Sequence, residues 1–222
     1  MLRDAALVAG KDLSIEWRSR VSLNQVAPFA LVALILFAFA ADARSDLLEP
    51  FAAGLFWVAV LLVTVLTVQR SVAVERPDGL TDALRLSGLH PGGLFLGKAA
   101  AVAVQLLVLE AALGAGIVVL YDVTIGSALL WVVTCLIATV ALAAAGTIYG
   151  AVSLGVRTRE SLLPLLLVPI VAPVLLAATR AHERALGVST VSGWRWVALL
   201  AVIAVVYAGA GLLAYGPLLE ES

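Results

Sequence analysis

Few side chains in this sequence could do chemistry, and most of them stand in apolar surroundings. Glu110 lies in the middle of a greasy run, five residues after Gln105. A carboxylate at that depth costs roughly 2.5–3.5 kcal/mol on insertion scales, so it must face other helices or water. It is either a functional group on a conduction path or conformational hinge, or a structural hydrogen-bond partner. The histidines are His90 and His182, and Cys135 is the single cysteine. No disulfide framework or cysteine zinc site can be built from that set. "HERAL" at 182–186 lacks the second histidine of a zinc protease, and no Ser/His/Asp set falls on one face. Haem ligation would need His, Met, Cys or Tyr. His182, read at the outer surface near Trp194 and Trp196, is the one attractive ligand, set against the plainer reading of a surface histidine.

One motif imitates a nucleotide site. "GGLFLGKA" at 92–99 has the glycines and lysine of a phosphate-binding loop, but Ala99 stands where Ser or Thr must hold magnesium. No buried strand precedes it. Gly93 and Gly97 are better read as points of close helix approach, with Lys98 marking the membrane boundary. Gly146 and Gly150 form a similar small-residue pair after Ala143, Ala144 and Ala145, suited to packing within the chain or across a dimer.

The elements that position these groups follow from composition. The 222 residues are 63% hydrophobic and 13% charged, far from the balance of a soluble domain. A net charge of −1 and the lack of a basic stretch leave no footprint for nucleic acid. A bilayer core needs about 20 helical residues. Charge-poor intervals supply six spans, at about 21–41, 50–69, 99–121, 127–154, 161–179 and 196–216. Ten Lys and Arg flank these spans on the side of the N-terminus and four on the other, which predicts both termini inside. No repeat, direct or inverted, stands out. The mixed-charge segment before the first span, with no small-residue cleavage site, does not read as a removable signal peptide.

Residues 1–20 are too polar to span. Leu2, Ala5, Ala6, Ala9, Leu13 and Trp17 recur at helical spacing, which suits an amphipathic helix in the interface, or else a solvated arm. The inner loop at 70–98 carries a compact charged patch. Pro77 suits a first helical turn, Leu80, Ala83 and Leu84 share one face, Asp82 and Arg85 another, and Gly88 suits the end. "HPGG" at 90–93 then turns the chain back. The fifth span holds Pro164, Pro169 and Pro173, which free carbonyls that neighbouring helices or water must satisfy. Residues 180–195 read as an interfacial belt, with room for a short surface or re-entrant helix. The fold class is therefore an all-α integral membrane protein.

The stretch at 69–98, "QRSVAVERPDGLTDALRLSGLHPGGLFLGK", resembles the CcmB family, haem exporter protein B of cytochrome c maturation. Arg70, Ser71, Glu75, Arg76, Asp78, Gly79, Leu84 and the run from Leu94 to Lys98 carry the likeness. The segments at 11–20 and 156–179 are similar to that family too, and Glu110 matches an acidic position in it. Pro77 stands where the family usually has an acidic residue, and Gly88 where it usually has proline.

The resemblance implies a permease subunit of an ABC complex in a bacterial inner membrane, not itself an enzyme. It implies a homodimer with a separate CcmA-like ATPase that holds the ATP, and with CcmC- and CcmD-like membrane proteins. The haem chaperone CcmE would be engaged indirectly, its haem-loaded form released by the ATPase cycle, with haem as possible cargo. In that setting the patch at 75–89 becomes a coupling helix between the second and third spans. Leu80 and Leu84 would anchor it, Asp78, Asp82 and Arg85 would set register, and Glu75, Arg76 and Gly79 would belong to the same contact. Alternatives are an ABC-2 exporter permease for a drug, lipid or polysaccharide, or a stand-alone transporter or channel.

Overall fold

The computed structural model describes residues 1–20, 22–42, 44–75, 88–155 and 162–221. Among these the chain is helical throughout, without strands. It is an all-α membrane protein. Five helices are long and apolar enough to cross a bilayer, and a bent helix pair at the N-terminus makes a sixth candidate.

Helix α1, Leu2–Ser19, ends where Arg20 adopts a left-handed conformation and donates its N–H to the Glu16 carbonyl at 2.7 Å. A π-helical turn, Ser22–Val26, leads into α2, Ala27–Ala40. The two arms of this bent pair meet at 52°. Helix α2 alone covers about 21 Å, and with the π-turn that leads into it about 28 Å, close to the thickness of a bilayer core. It buries Ala30, Leu34 and Ala38, one turn apart, and leaves Phe29, Leu36 and Phe39 facing outward. A short α3, Ser45–Leu48, and a 3-10 turn, Glu49–Phe51, connect to α4, Ala52–Glu75.

Helix α5, Pro91–Tyr121, starts earlier than charge spacing suggests. The His90 side chain caps it by accepting from the Gly92 N–H at 3.1 Å, and Pro91 takes the first position, where it lacks only an unused N–H. The glycines of "HPGG" thus lie inside the first helical turn. Lys98 also lies within α5, about two turns past its start, and is buried. Asp122, left-handed, ends the helix, and the Tyr121 hydroxyl donates to the Leu34 carbonyl at 3.1 Å. Helices α6, Ala128–Gly155, α7, Leu162–Ala185, and α8, Gly193–Glu221, complete the bundle.

Helix α7 runs on through the segment expected as a belt. Arg180 pairs with Glu183 at 3.0 Å on its polar side, while Ala177, Ala178, Ala181 and Ala185 pack inward. The charges occupy one face, so they do not stop the helix. Gly187 does, at φ +83, with the Val188 N–H reaching back to the Glu183 carbonyl. Pro169 and Pro173 sit inside α7. Pro173 cannot donate to the Pro169 carbonyl. The next carbonyl along, that of Ile170, accepts the Tyr207 hydroxyl of α8 at 2.6 Å.

Small residues bring the helices together, as is usual where lipid offers no hydrophobic drive. Ala138, Ala141, Leu142 and Ala145 of α6 pack against Val60, Val63 and Val68 of α4 and against Val171 and Val174 of α7 in one core. Gly146 faces the side chain of Val68, Gly150 that of Val72, and Gly211 the ring of Phe95.

Candidate functional site

A face of α6 gathers the buried polar groups. Trp131, Cys135 and Thr139 recur every four residues, so they line one side of the helix at intervals of about 6 Å. Helix α5 brings Glu110 to the deepest of these positions. Its Oε1 accepts from the Thr139 hydroxyl at 2.8 Å. Its Oε2 is buried with no hydrogen-bond partner among the described residues. Glu110 is 3% exposed, and the Cys135 thiol lies beside it.

One turn further along, α7 contributes His182, which is fully buried. Its Nδ1 accepts from the Trp57 indole N–H of α4 at 3.1 Å. Its Nε2 lies 3.2 Å from the Trp131 carbonyl and 3.8 Å from the Cys135 sulfur. A carbonyl can only accept, so Nε2 carries the proton in this arrangement. The imidazole stacks on Trp131 with centroids 3.8 Å apart and planes at 9°. Phe56 and Trp57 close the box, with centroids 5.4 and 5.2 Å from His182. The sequence reading put this histidine at the surface beside Trp194 and Trp196. Helix α7 instead turns it inward onto Trp57 and Trp131, distant in sequence. Trp194 is half-exposed.

Glu110, Cys135, His182 and Trp57 therefore form one continuous file joining α5, α6, α7 and α4. Its chemistry is that of a tie between helices. Both imidazole nitrogens are engaged, so an iron ligand would have to displace Trp57 or Trp131. With the proton on Nε2, the histidine cannot act as base toward the thiol beside it. Among the described residues no three His, Cys, Asp or Glu side chains converge as a metal set.

Gln105 does not join Glu110. It faces the opposite way, toward α1, beside Glu16 and Arg70. Gly93 and Gly97 form the floor under α1. A Cβ at Gly93 would meet the Asp4 Cβ at 2.9 Å, and one at Gly97 the Val8 Cβ at 2.6 Å. Of the charged patch, Glu75 ends α4 with its side chain outside the described residues. Arg76, Asp78, Gly79, Leu80, Asp82, Leu84 and Arg85 lie wholly outside them. Sequence reasoning missed Trp57, Trp131, Cys135 and Thr139 as partners; the four-residue period on α6 was the available signal.

A model of the CcmB protein family matches residues 4–220, the whole bundle with the file and both glycine pairs. The chain belongs to the CcmB family. It is similar to heme exporter protein B of Paracoccus denitrificans, 31% identical over 177 residues, covering 78% of this chain and 80% of the relative. The like-named protein of Rhodobacter capsulatus is 29% identical over 170 residues, 75% and 76% of the two chains. That of Pseudomonas aeruginosa is 28% identical over 211 residues, 90% of each.

This CcmB chain carries a second polar seam at its other end. The face that α1 turns to the bundle holds Asp4, Ala5, Val8, Asp12, Leu13 and Glu16, whereas Leu2 and Leu7 point away from it. Asp4 accepts the His90 N–H at 3.3 Å. Asp12 lies in the field of buried Lys98. Arg70 of α4 reaches Glu16 at 2.9 Å and the Ser19 hydroxyl at 2.8 Å. Carboxylates and small residues thus dock α1, and its larger apolar side chains are left for lipid.

Proposed function

We propose that this CcmB chain is the permease subunit of a haem-exporting ABC complex of cytochrome c maturation, worked by a separate ATPase. The family match over 4–220 carries the reading, and the relatives named heme exporter protein B support its substrate class. On this reading the chain sits in the bacterial inner membrane as a homodimer, with both termini cytoplasmic. The segment at 75–89 is the contact for a CcmA-like ATPase, seated by Leu80 and Leu84 and oriented by Asp78, Asp82 and Arg85, with Glu75, Arg76 and Gly79 in the same contact. It joins α4 to α5, the helices that hold Trp57 and Glu110. Displacement there would be felt at both ends of the buried file. Glu110 then serves as a conformational tie in mid-membrane. CcmC- and CcmD-like proteins complete the complex, and release of the haem-loaded CcmE chaperone is its outcome.

Leu84→Asp tests the coupling. It should abolish co-purification of the ATPase while the chain still inserts and extracts normally. Normal co-purification would refute the assignment. Haem attachment to c-type cytochromes in a deletion strain separates this role from export of another substrate: unaffected cytochromes would leave the bundle a permease but remove haem from its work.

A further inference from the structure

The elbow between α1 and α2 faces the outer side of α5 across an open cleft of about 510 Å³, within the size range of small-molecule sites. Leu13, Trp17, Val104, Val108 and Leu109 give it apolar walls, and Glu16, Arg20, Asn24 and Gln105 supply polar groups. The charges do not cancel. Glu16 is already paired with Arg70, while Arg20 has no acidic partner among the described residues. The cleft therefore joins an uncompensated guanidinium and two neutral hydrogen-bonding side chains to a greasy wall. Val104 and Val108 are half-exposed on the flank of α5 that faces away from the bundle. No His, Met, Cys or Tyr lines the cleft, so it offers no axial ligand to a haem iron.

We propose that this cleft is a binding site for an anionic phospholipid, drawn from the leaflet against which α1 lies. The phosphate meets Arg20 with Asn24 and Gln105, and an acyl chain runs along Val104, Val108 and Leu109. Trp17 covers the site from the α1 side. The bend between α1 and α2 is then held from outside by lipid as well as from inside by the Arg70–Glu16 pair.

Trp17 provides the probe. The full-length protein is placed in phosphatidylcholine vesicles containing a minor share of either brominated phosphatidylglycerol or brominated phosphatidylcholine. The difference between wild type and Trp17→Phe isolates the emission quenched at this residue. Brominated phosphatidylglycerol should quench Trp17 well beyond brominated phosphatidylcholine. Arg20→Ala should reduce that preference about fivefold, the share of one arginine near a charged surface. Val108→Phe, on an outward face where the fold is not at stake, should narrow the acyl path along α5 and weaken the preference. Equal quenching by the two lipids, or a preference unchanged in either variant, would overturn the proposal. Val104→Cys chains that cross-linked to one another across the cleft would overturn it too, because a second copy would then be the occupant.

Discussion

Replacing Thr139 by valine keeps the branched shape of the side chain and removes one hydroxyl. That hydroxyl is the donor to Glu110 Oε1 at 2.8 Å, and Oε2 already lacks a partner among the described residues. The variant therefore leaves a buried carboxyl group with only the weak Cys135 thiol beside it. The desolvation penalty of such an orphan is about 1–3 kcal/mol, or a fall in melting temperature of about 2–4 °C per kcal/mol at this chain length. Glu110→Leu removes the acceptor instead, and Thr139 can turn its hydroxyl back to the carbonyl four residues earlier, so its cost should be smaller. In the double variant nothing polar remains to be orphaned. It should be more stable than Thr139→Val alone, with a coupling of about 1 kcal/mol, inside the range measured for hydrogen bonds between membrane helices. Cys135 makes the assay direct. It is the only thiol and is buried, so a fluorogenic maleimide reports unfolding during a temperature ramp in detergent. A Thr139→Val chain that melts with wild type, or a double variant that loses the sum of the single losses, would refute the tie.

Two further substitutions probe the seams. Gly97→Ala would set a Cβ 2.6 Å from that of Val8 and 2.7 Å from the Ala5 carbonyl, so α1 must lift; a loss of about 1–3 kcal/mol is expected, with faster proteolysis of α1. Gly54→Ala meets nothing within 4 Å and should be neutral or stabilising by up to about 1 kcal/mol, which controls for a general intolerance of glycine replacement. His182→Phe can still stack on Trp131 but strands the Trp57 N–H; a loss of about 1–3 kcal/mol for that orphaned donor and a shift in tryptophan emission should follow, and unchanged emission would argue against the box.

The apolar runs made the bundle legible, because the cost of charge in lipid is written directly into sequence. Their ends were less so. Lys98, Arg180 and Glu183 look like borders when charge alone is counted, yet each lies within a helix that continues past it. Lys98 is shielded among α1, α4, α6 and α8, and Arg180 and Glu183 neutralise one another on one face. Glu110 announced itself, since a lone carboxylate in mid-span needs an explanation. Its partner did not, because Thr139 lies 29 residues away and threonine is unremarkable in such a helix. His182 was misplaced for the same reason: its environment comes from Trp57 and Trp131, which sequence distance hides. The charged patch at 76–87 was the most readable feature of all by pattern, and it falls outside the described residues.

The length of α5 has a mechanical consequence. Its 31 residues extend about 46 Å, against roughly 30 Å of hydrocarbon, so an upright rod of this length outruns the greasy slab. On the proposed function, a sideways force applied just before Pro91 would act on the short arm of a tiller whose load is Glu110. Helix α1 packs closely across that arm at Gly93 and Gly97, and on the same proposal it would be the friction brake that sets how hard the tiller must be pushed.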